Sequence, residues 1–154
     1  ILKASPNLKC IDFQNSDLIN DHLAESLIQS VKPKFLSHLT LAKANIMQRT
    51  QASLRSPGIL QESSLLTLVS NFTALQVLNL ENLCNVTDSV IEAAAKNCPQ
   101  IHSLFLNKCR NITDKSIIAL SERTVIATLG IEYCHNITAT SIIGLSLKCG
   151  KHLK

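Results

Sequence analysis

The chain has 154 residues, 45% of them hydrophobic and 17% charged, enough apolar material for a domain with a real core and too much for a disordered chain. Its formal charge of +4 is scattered among acidic residues and lacks the concentrated basic face of a nucleic-acid binder. No stretch approaches the roughly 18 consecutive apolar residues that would span a membrane.

With no Trp, one Tyr and four Phe, the apolarity is carried by Leu, Ile and Val, which suits a thin, regularly layered core. The first residue is Ile and no signal-peptide pattern follows. Six cysteines, Cys10, Cys84, Cys98, Cys109, Cys134 and Cys149, would suit three disulfides by count. No C-x-x-C pair occurs, however, and a chain this large and apolar needs no staples. Reduced thiols in a cytoplasmic or nuclear protein are therefore expected.

Taken in chain order, the first element opens at Leu8. "LKCIDFQNSDLIND" sets Leu8, Ile11, Phe13, Ser16 and Ile19 in a fixed register, and a helical pattern follows near Asp21 to Gln29. "LSHLTLAKANIMQR" repeats that register with Leu36, Leu39, Leu41, Ala44 and Met47. The next start, Leu75, lies 39 residues after Leu36 instead of about 26. The surplus is expected near 48–61, "QRTQASLRSPGILQ", where Ser56-Pro57-Gly58 marks a turn. A helix near Ser63 to Ser70 closes this unit.

Three further units follow: "LQVLNLENLCNVTD" from Leu75, "IHSLFLNKCRNITD" from Ile101 and "IATLGIEYCHNITA" from Ile126. Each predicts a short strand and then a helix, over Asp88 to Asn97, Asp114 to about Glu122 and Ala139 to Lys148. Val90, Ile91, Ala94 and Ala95 should face inwards, with Cys98 and Phe72 packed under the next turn. The units run near 8–35, 36–74, 75–100, 101–125 and 126–152, and Leu153 would open another.

A unit of this size cannot bury its apolar face alone, so stacked copies must share one core. The Val or Ile of "NVTD", "NITD" and "NITA" is the last inward anchor of each unit, and Thr87, Thr113 and Thr138 are expected to cap the helices that follow. Asn85, Asn111 and Asn136 each open an N-x-T sequon, as does Asn71. Recurrence once per unit favours architecture over glycosylation.

"CRNITD" at 109–114 and "NCPQ" at 97–100 carry a more specific signal. The pattern resembles the cysteine-containing leucine-rich repeats, L-x-x-L-x-L-x-x-C-x-x-I-T-D followed by a helix and Cys-Pro, over residues 8–153. It departs from that pattern at Ser16, Ala44 and Leu83, where the cysteine position holds another residue. The resemblance implies an α/β solenoid, a horseshoe with parallel strands on its concave face and helices on its convex face. It also implies a protein–protein interaction module like the substrate-recognition repeats of F-box-type ubiquitin ligases. An F-box would precede such repeats, and residues 1–7 are too few to hold one. The alternative is a structural scaffold subunit with no ligase role.

The residues give little support to catalysis. The five histidines occupy different slots of different units. Cys134-His135 juxtaposes a thiol and a base, but Cys134 belongs to the buried column. No phosphate-binding loop, metal site or cofactor is expected. Binding is what the pattern offers, on the outward strand slots that include Asn79, Phe105, Asn107, Lys108, Glu132 and Tyr133. Phe105 is a large ring with no core to join, Tyr133 lies one unit on, and Gly130 leaves room between them. A protein partner on the concave face is expected, with ligase components held through a segment outside these residues. No direct nucleic-acid contact is expected, because Asp12, Glu81 and Glu132 interrupt Lys43 and Lys108. With no polar cap visible at either end, a longer native solenoid, or a partner covering Ile142, Leu145 and Leu153, is anticipated.

Overall fold

The computed structural model describes residues 7–16, 19–42, 60–123 and 125–149. Strands and helices alternate: β1 (Cys10–Asp12), α1 (Asp21–Ser30), β2 (His38–Thr40), α2 (Glu62–Asn71), β3 (Val77–Asn79), α3 (Asp88–Asn97), β4 (Ser103–Phe105), α4 (Asp114–Arg123), β5 (Thr128–Gly130) and α5 (Ala139–Cys149). The strands form one parallel sheet in sequence order, β1 to β5. Each strand is only three residues long; in β1 to β4 the middle residue is the buried one, and in β5 Leu129 packs half-buried against the same core. Register places Ile11, Leu39, Leu78, Leu104 and Leu129 side by side in a single file. A short strand gains little alone; the file is stable because each coil buries its neighbour's apolar edge.

Helices of ten or eleven residues are marginal in isolation, so packing decides them here. Val90, Ile91, Ala94 and Ala95 are buried in α3, and Phe72 and Cys98 are buried at the ends of α2 and α3. Cysteine suits the strand exit because its S–H reaches a backbone carbonyl of the preceding coil while the rest packs as a small hydrophobe. The Sγ of Cys109 donates to Leu80 O (3.2 Å) and that of Cys134 to Leu106 O (3.1 Å). Leu83 fills the same slot in the third unit, buried and without that bond.

The structure corrects two expectations. Thr87 stands extended at the N-cap of α3, but its side chain makes no capping bond. Its hydroxyl donates instead to Glu62, the first residue of the preceding helix. Thr113 Oγ1 likewise donates to Asp88 Oδ2 (2.7 Å) and Thr138 Oγ1 to Asp114 Oδ2 (2.8 Å). The backbone N–H groups of Thr113 and Thr138 donate to the other oxygen of each carboxylate. The Thr-Asp pair thus stitches one coil to the next. Among the described residues, Thr113 also caps its own helix through a 3.3 Å bond from Lys115 N to Thr113 Oγ1, and in the first unit Asn20 accepts from Leu23 N.

The last inward anchor before each helix can be followed along the solenoid. Ile19, Val86 and Ile112 each stand two residues before a helix and are buried, and in the second unit Leu60 holds that place. Met47, assigned there by pattern, and residues 48–59 lie outside the described residues. The second correction is at the C-terminal end: Leu145 is fully buried and Ile142 half-buried within the chain itself, while the apolar residues left exposed on α5 are Ile143 and Leu147. Leu153 lies outside the described residues.

The sequon asparagines are also structural. Asn85 Nδ2 donates to Leu60 O (3.0 Å), Asn111 Nδ2 to Cys84 O (2.6 Å) and Asn136 Nδ2 to Arg110 O (2.9 Å). Each side-chain amide is spent on the coil before it, which explains the recurrence of Asn without a glycan.

Candidate protein-binding surface

The sheet hydrogen bonding continues past each strand. Leu41 N donates to Asn79 O, Leu80 N to Phe105 O and Leu106 N to Gly130 O. Two residues further on, Asn15 N donates to Ala42 O, Asn82 N to Asn107 O and Lys108 N to Glu132 O. To make that bond while turning towards the helix, the chain adopts a left-handed conformation. Asn15, Asn82, Lys108 and Tyr133 have φ of 62°, 59°, 64° and 60°. Asn tolerates this region well; Lys and Tyr do so at a cost of about 1 kcal/mol or more.

These turns bring all six sequence-predicted residues onto one wall. Asn79, Phe105 and Gly130 are register partners across β3, β4 and β5. Asn107, Lys108, Glu132 and Tyr133 follow along the same edge. Asn107 spans three coils: its Nδ2 donates to Glu81 Oε1, and its Oδ1 accepts from Glu132 N (2.7 Å). Asn79 Oδ1 accepts from Glu81 N (3.0 Å). Both amides are therefore braces that set the shape of the wall.

Phe105 is half-buried and leans over Gly130, where an added Cβ would sit 3.2 Å from the ring and 3.1 Å from Asn107 Oδ1. Tyr133 is 61% exposed. The Lys108 ammonium lies 5.7 Å from the Tyr133 ring centroid, and the His135 ring meets Tyr133 edge-on at 6.5 Å. An exposed aromatic with a cation on its face is the kind of group that dominates protein interfaces.

Sequence reasoning missed Arg110, His135 and Cys84, exposed residues two positions beyond the left-handed turn in successive coils. The sequence carries no signal for them, because the left-handed turn that aims that position outwards is not announced by Gly or Asn at Lys108 or Tyr133. Asn82, Cys84, Lys108, Arg110 and Asn111 line a shallow recess of about 280 Å³ there.

The chemistry of the thiols is quiet. Burial pushes Cys98 up to about 11 and Cys109 to about 12, with the Cys134 thiol adding to the latter. Burial also raises Cys134, outweighing the backbone N–H groups that oppose it. Cys134 therefore stays protonated beside His135 at neutral pH, a poor nucleophile. Among the described residues no three His, Cys, Asp or Glu side chains gather to hold a metal ion, and no helix is long and apolar enough to cross a membrane.

No protein-family model matches the chain. It is 33% identical over 150 residues to the antagonist of mitotic exit network protein 1 of Candida glabrata, covering 88% of this chain and 29% of that protein. The protein of the same name from Eremothecium gossypii is 32% identical over 80 residues, covering 49% of this chain and 20% of its own length. The chain thus spans less than a third of the curated relatives it matches. Among solved structures it is similar to the yeast Rad7–Elc1 complex, with a TM-score of 0.69 at 19% identity over 96% of this chain and 32% of that one. It is also similar to the Caenorhabditis elegans tropomodulin C-terminal domain, with a TM-score of 0.66 at 14% identity over 98% of this chain and 88% of that domain. The leiomodin-1 actin-binding site 2 gives 0.64 at 14% identity, over 98% of this chain and 84% of that one. At these identities the likeness is one of fold. That fold, with its ordered parallel strands and outer helices, is a leucine-rich-repeat solenoid.

Proposed function

We propose that this chain is a non-catalytic interaction module whose concave wall, centred on Phe105, Lys108, Glu132 and Tyr133, captures a protein. The observation that carries the reading is the Tyr133 ring, largely exposed, with Lys108 on its face and Phe105 seated one coil away over Gly130. Asn79 and Asn107 hold that wall in shape. The relative from Candida glabrata is named as an antagonist of the mitotic exit network. On this reading the partner is a protein of such a network, silenced by being held on the concave face. The module needs no cofactor, makes no direct nucleic-acid contact and works in the cytoplasm or nucleus, where its thiols stay reduced.

A second reading draws on "CRNITD" and the cysteine column: substrate recognition for an F-box-type ubiquitin ligase, with ligase components bound by a segment outside these residues. The Rad7 fold, solved in complex with Elc1, is an example of such a solenoid inside an assembly. A plain scaffold would instead hold its neighbours without selecting them. Affinity purification of the full-length protein with mass spectrometry, as wild type and as the Phe105→Ala/Tyr133→Ala variant, separates the readings. Mitotic-exit proteins lost from the variant support the antagonist, and cullin components that persist in both support the receptor. A partner set unchanged by the substitutions, with the domain still folded, refutes this choice of wall.

A further inference from the structure

The turn edge of the third to fifth units has a feature that the concave wall as a whole lacks. The recess between Asn82, Cys84, Lys108, Arg110 and Asn111 contains two cations and no carboxylate. Neither the Lys108 ammonium nor the Arg110 guanidinium pairs with an acid among the described residues. Two acids of the wall are otherwise placed: Glu81 accepts from Asn107, and Glu132 stands on the neighbouring slot towards the strand. Tyr133 and His135 extend the edge by one coil.

Backbone conformation gives an independent pointer. Asn occupies the left-handed slot in the first and third units, the residue that slot prefers. The fourth and fifth units hold Lys108 and Tyr133 there, against local preference. Residues that disfavour their own backbone conformation mark places where side-chain chemistry outweighs stability.

We infer that this edge docks an acidic peptide segment of the partner, its carboxylates meeting Lys108 and Arg110 and its backbone crossing the Tyr133 face. The inference rests on the concave-face reading and adds the partner's chemistry to it. Three coils at about 4.8 Å spacing span roughly 10 Å, the reach of three or four extended residues. A nucleic-acid strand fits less well, because Glu81 and Glu132 flank the cations and break any continuous basic track for a phosphate backbone, whereas a peptide can set its carboxylates on Lys108 and Arg110 alone.

The test uses a fluorescein-labelled Glu/Ser peptide and its Gln/Ser counterpart, titrated by anisotropy at low salt. The Glu peptide should bind and the Gln peptide should not. Replacing Lys108 and Arg110 by Asn should weaken the Glu peptide roughly fivefold to tenfold, whereas Lys148→Asn on the helical face should leave it unchanged. Lys108→Asn and Tyr133→Asn should at the same time raise the melting temperature by about 2–4 °C, as the left-handed slot regains its preferred residue. Failure of the Glu peptide to bind, equal binding of both peptides, indifference to the double substitution, or preference for a DNA oligonucleotide would each overturn the inference. None of those outcomes touches the Phe105 and Tyr133 capture experiment, so the acidic-segment claim and the concave-face claim fail separately.

Discussion

Asp88 offers the most quantitative test of how the coils hold together. Its carboxylate accepts from Thr113 N (2.8 Å), Thr113 Oγ1 (2.7 Å) and Ser116 Oγ, all in the following unit. Ser116 is fully buried. In Asp88→Ala its hydroxyl loses that acceptor inside the protein, at about 1–3 kcal/mol. The Thr113 groups are half-buried and partly recover water, adding about 1 kcal/mol. The expected loss is therefore about 2–4 kcal/mol, a large part of the roughly 8–15 kcal/mol available to a domain of this size.

The sequence supplies its own control. The slot of Ser116 is held by Val90 in α3, where the preceding coil presents Glu62, which accepts from the Thr87 hydroxyl. Ser116 and Ser141 appear where the preceding coil presents Asp88 and Asp114. Asp88→Ala/Ser116→Val should accordingly be more stable than the sum of the single losses predicts, with a coupling of about 1–2 kcal/mol. Urea unfolding followed by circular dichroism reads both quantities, provided the slope is unchanged. Additivity of the two substitutions, or an Asp88→Ala loss below about 0.5 kcal/mol, would refute the stitching account.

Three shorter predictions accompany it. Burial acts to raise the pKa of Asp88, but the hydrogen bonds from Ser116 and Thr113 together outweigh it, and those from Ser141 and Thr138 lower Asp114. Both carboxyls titrate lower in the folded chain than in the unfolded one, so their stabilisation is present above the unfolded carboxylate range and is lost as pH falls through the folded values. Acid melting of Asp88→Asn should therefore show a shallower loss between about pH 5 and pH 3 than the wild type. In native alkylation with iodoacetamide, Cys10 and Cys84 should label quickly and Cys98, Cys109, Cys134 and Cys149 only on unfolding; fast labelling of Cys134 would contradict its placement. Gly130→Ala should push the Phe105 ring and Asn107 aside and weaken partner capture while costing about 1 kcal/mol or less in stability, measured by paired binding and melting curves.

Much of the fold is legible in the sequence because hydropathy alone determines it. The spacing of Leu75, Leu78 and Leu80, repeated at Ile101, Leu104 and Leu106, can be satisfied only by stacked short strands, and helix positions follow from Val90, Ile91, Ala94 and Ala95. The hydrogen-bond ladder was not legible, since the partners of Thr113 and Asn111 lie 25 and 27 residues away and their polar atoms leave no periodic apolar trace. At the candidate wall, outward slots were readable from strand alternation. The left-handed conformation of Lys108 and Tyr133 was not, because neither residue announces it as Gly or Asn would.

The most direct test of the central claim compares two positions of matched exposure on opposite faces. Tyr133 on the concave edge is 61% exposed and Ile143 on α5 is 58% exposed. A benzophenone photocrosslinker placed at either position in the full-length protein should report which face the partner covers. Crosslinking to the captured partner from position 133 and not from 143 is the result the account predicts; crosslinking from 143 alone would contradict it.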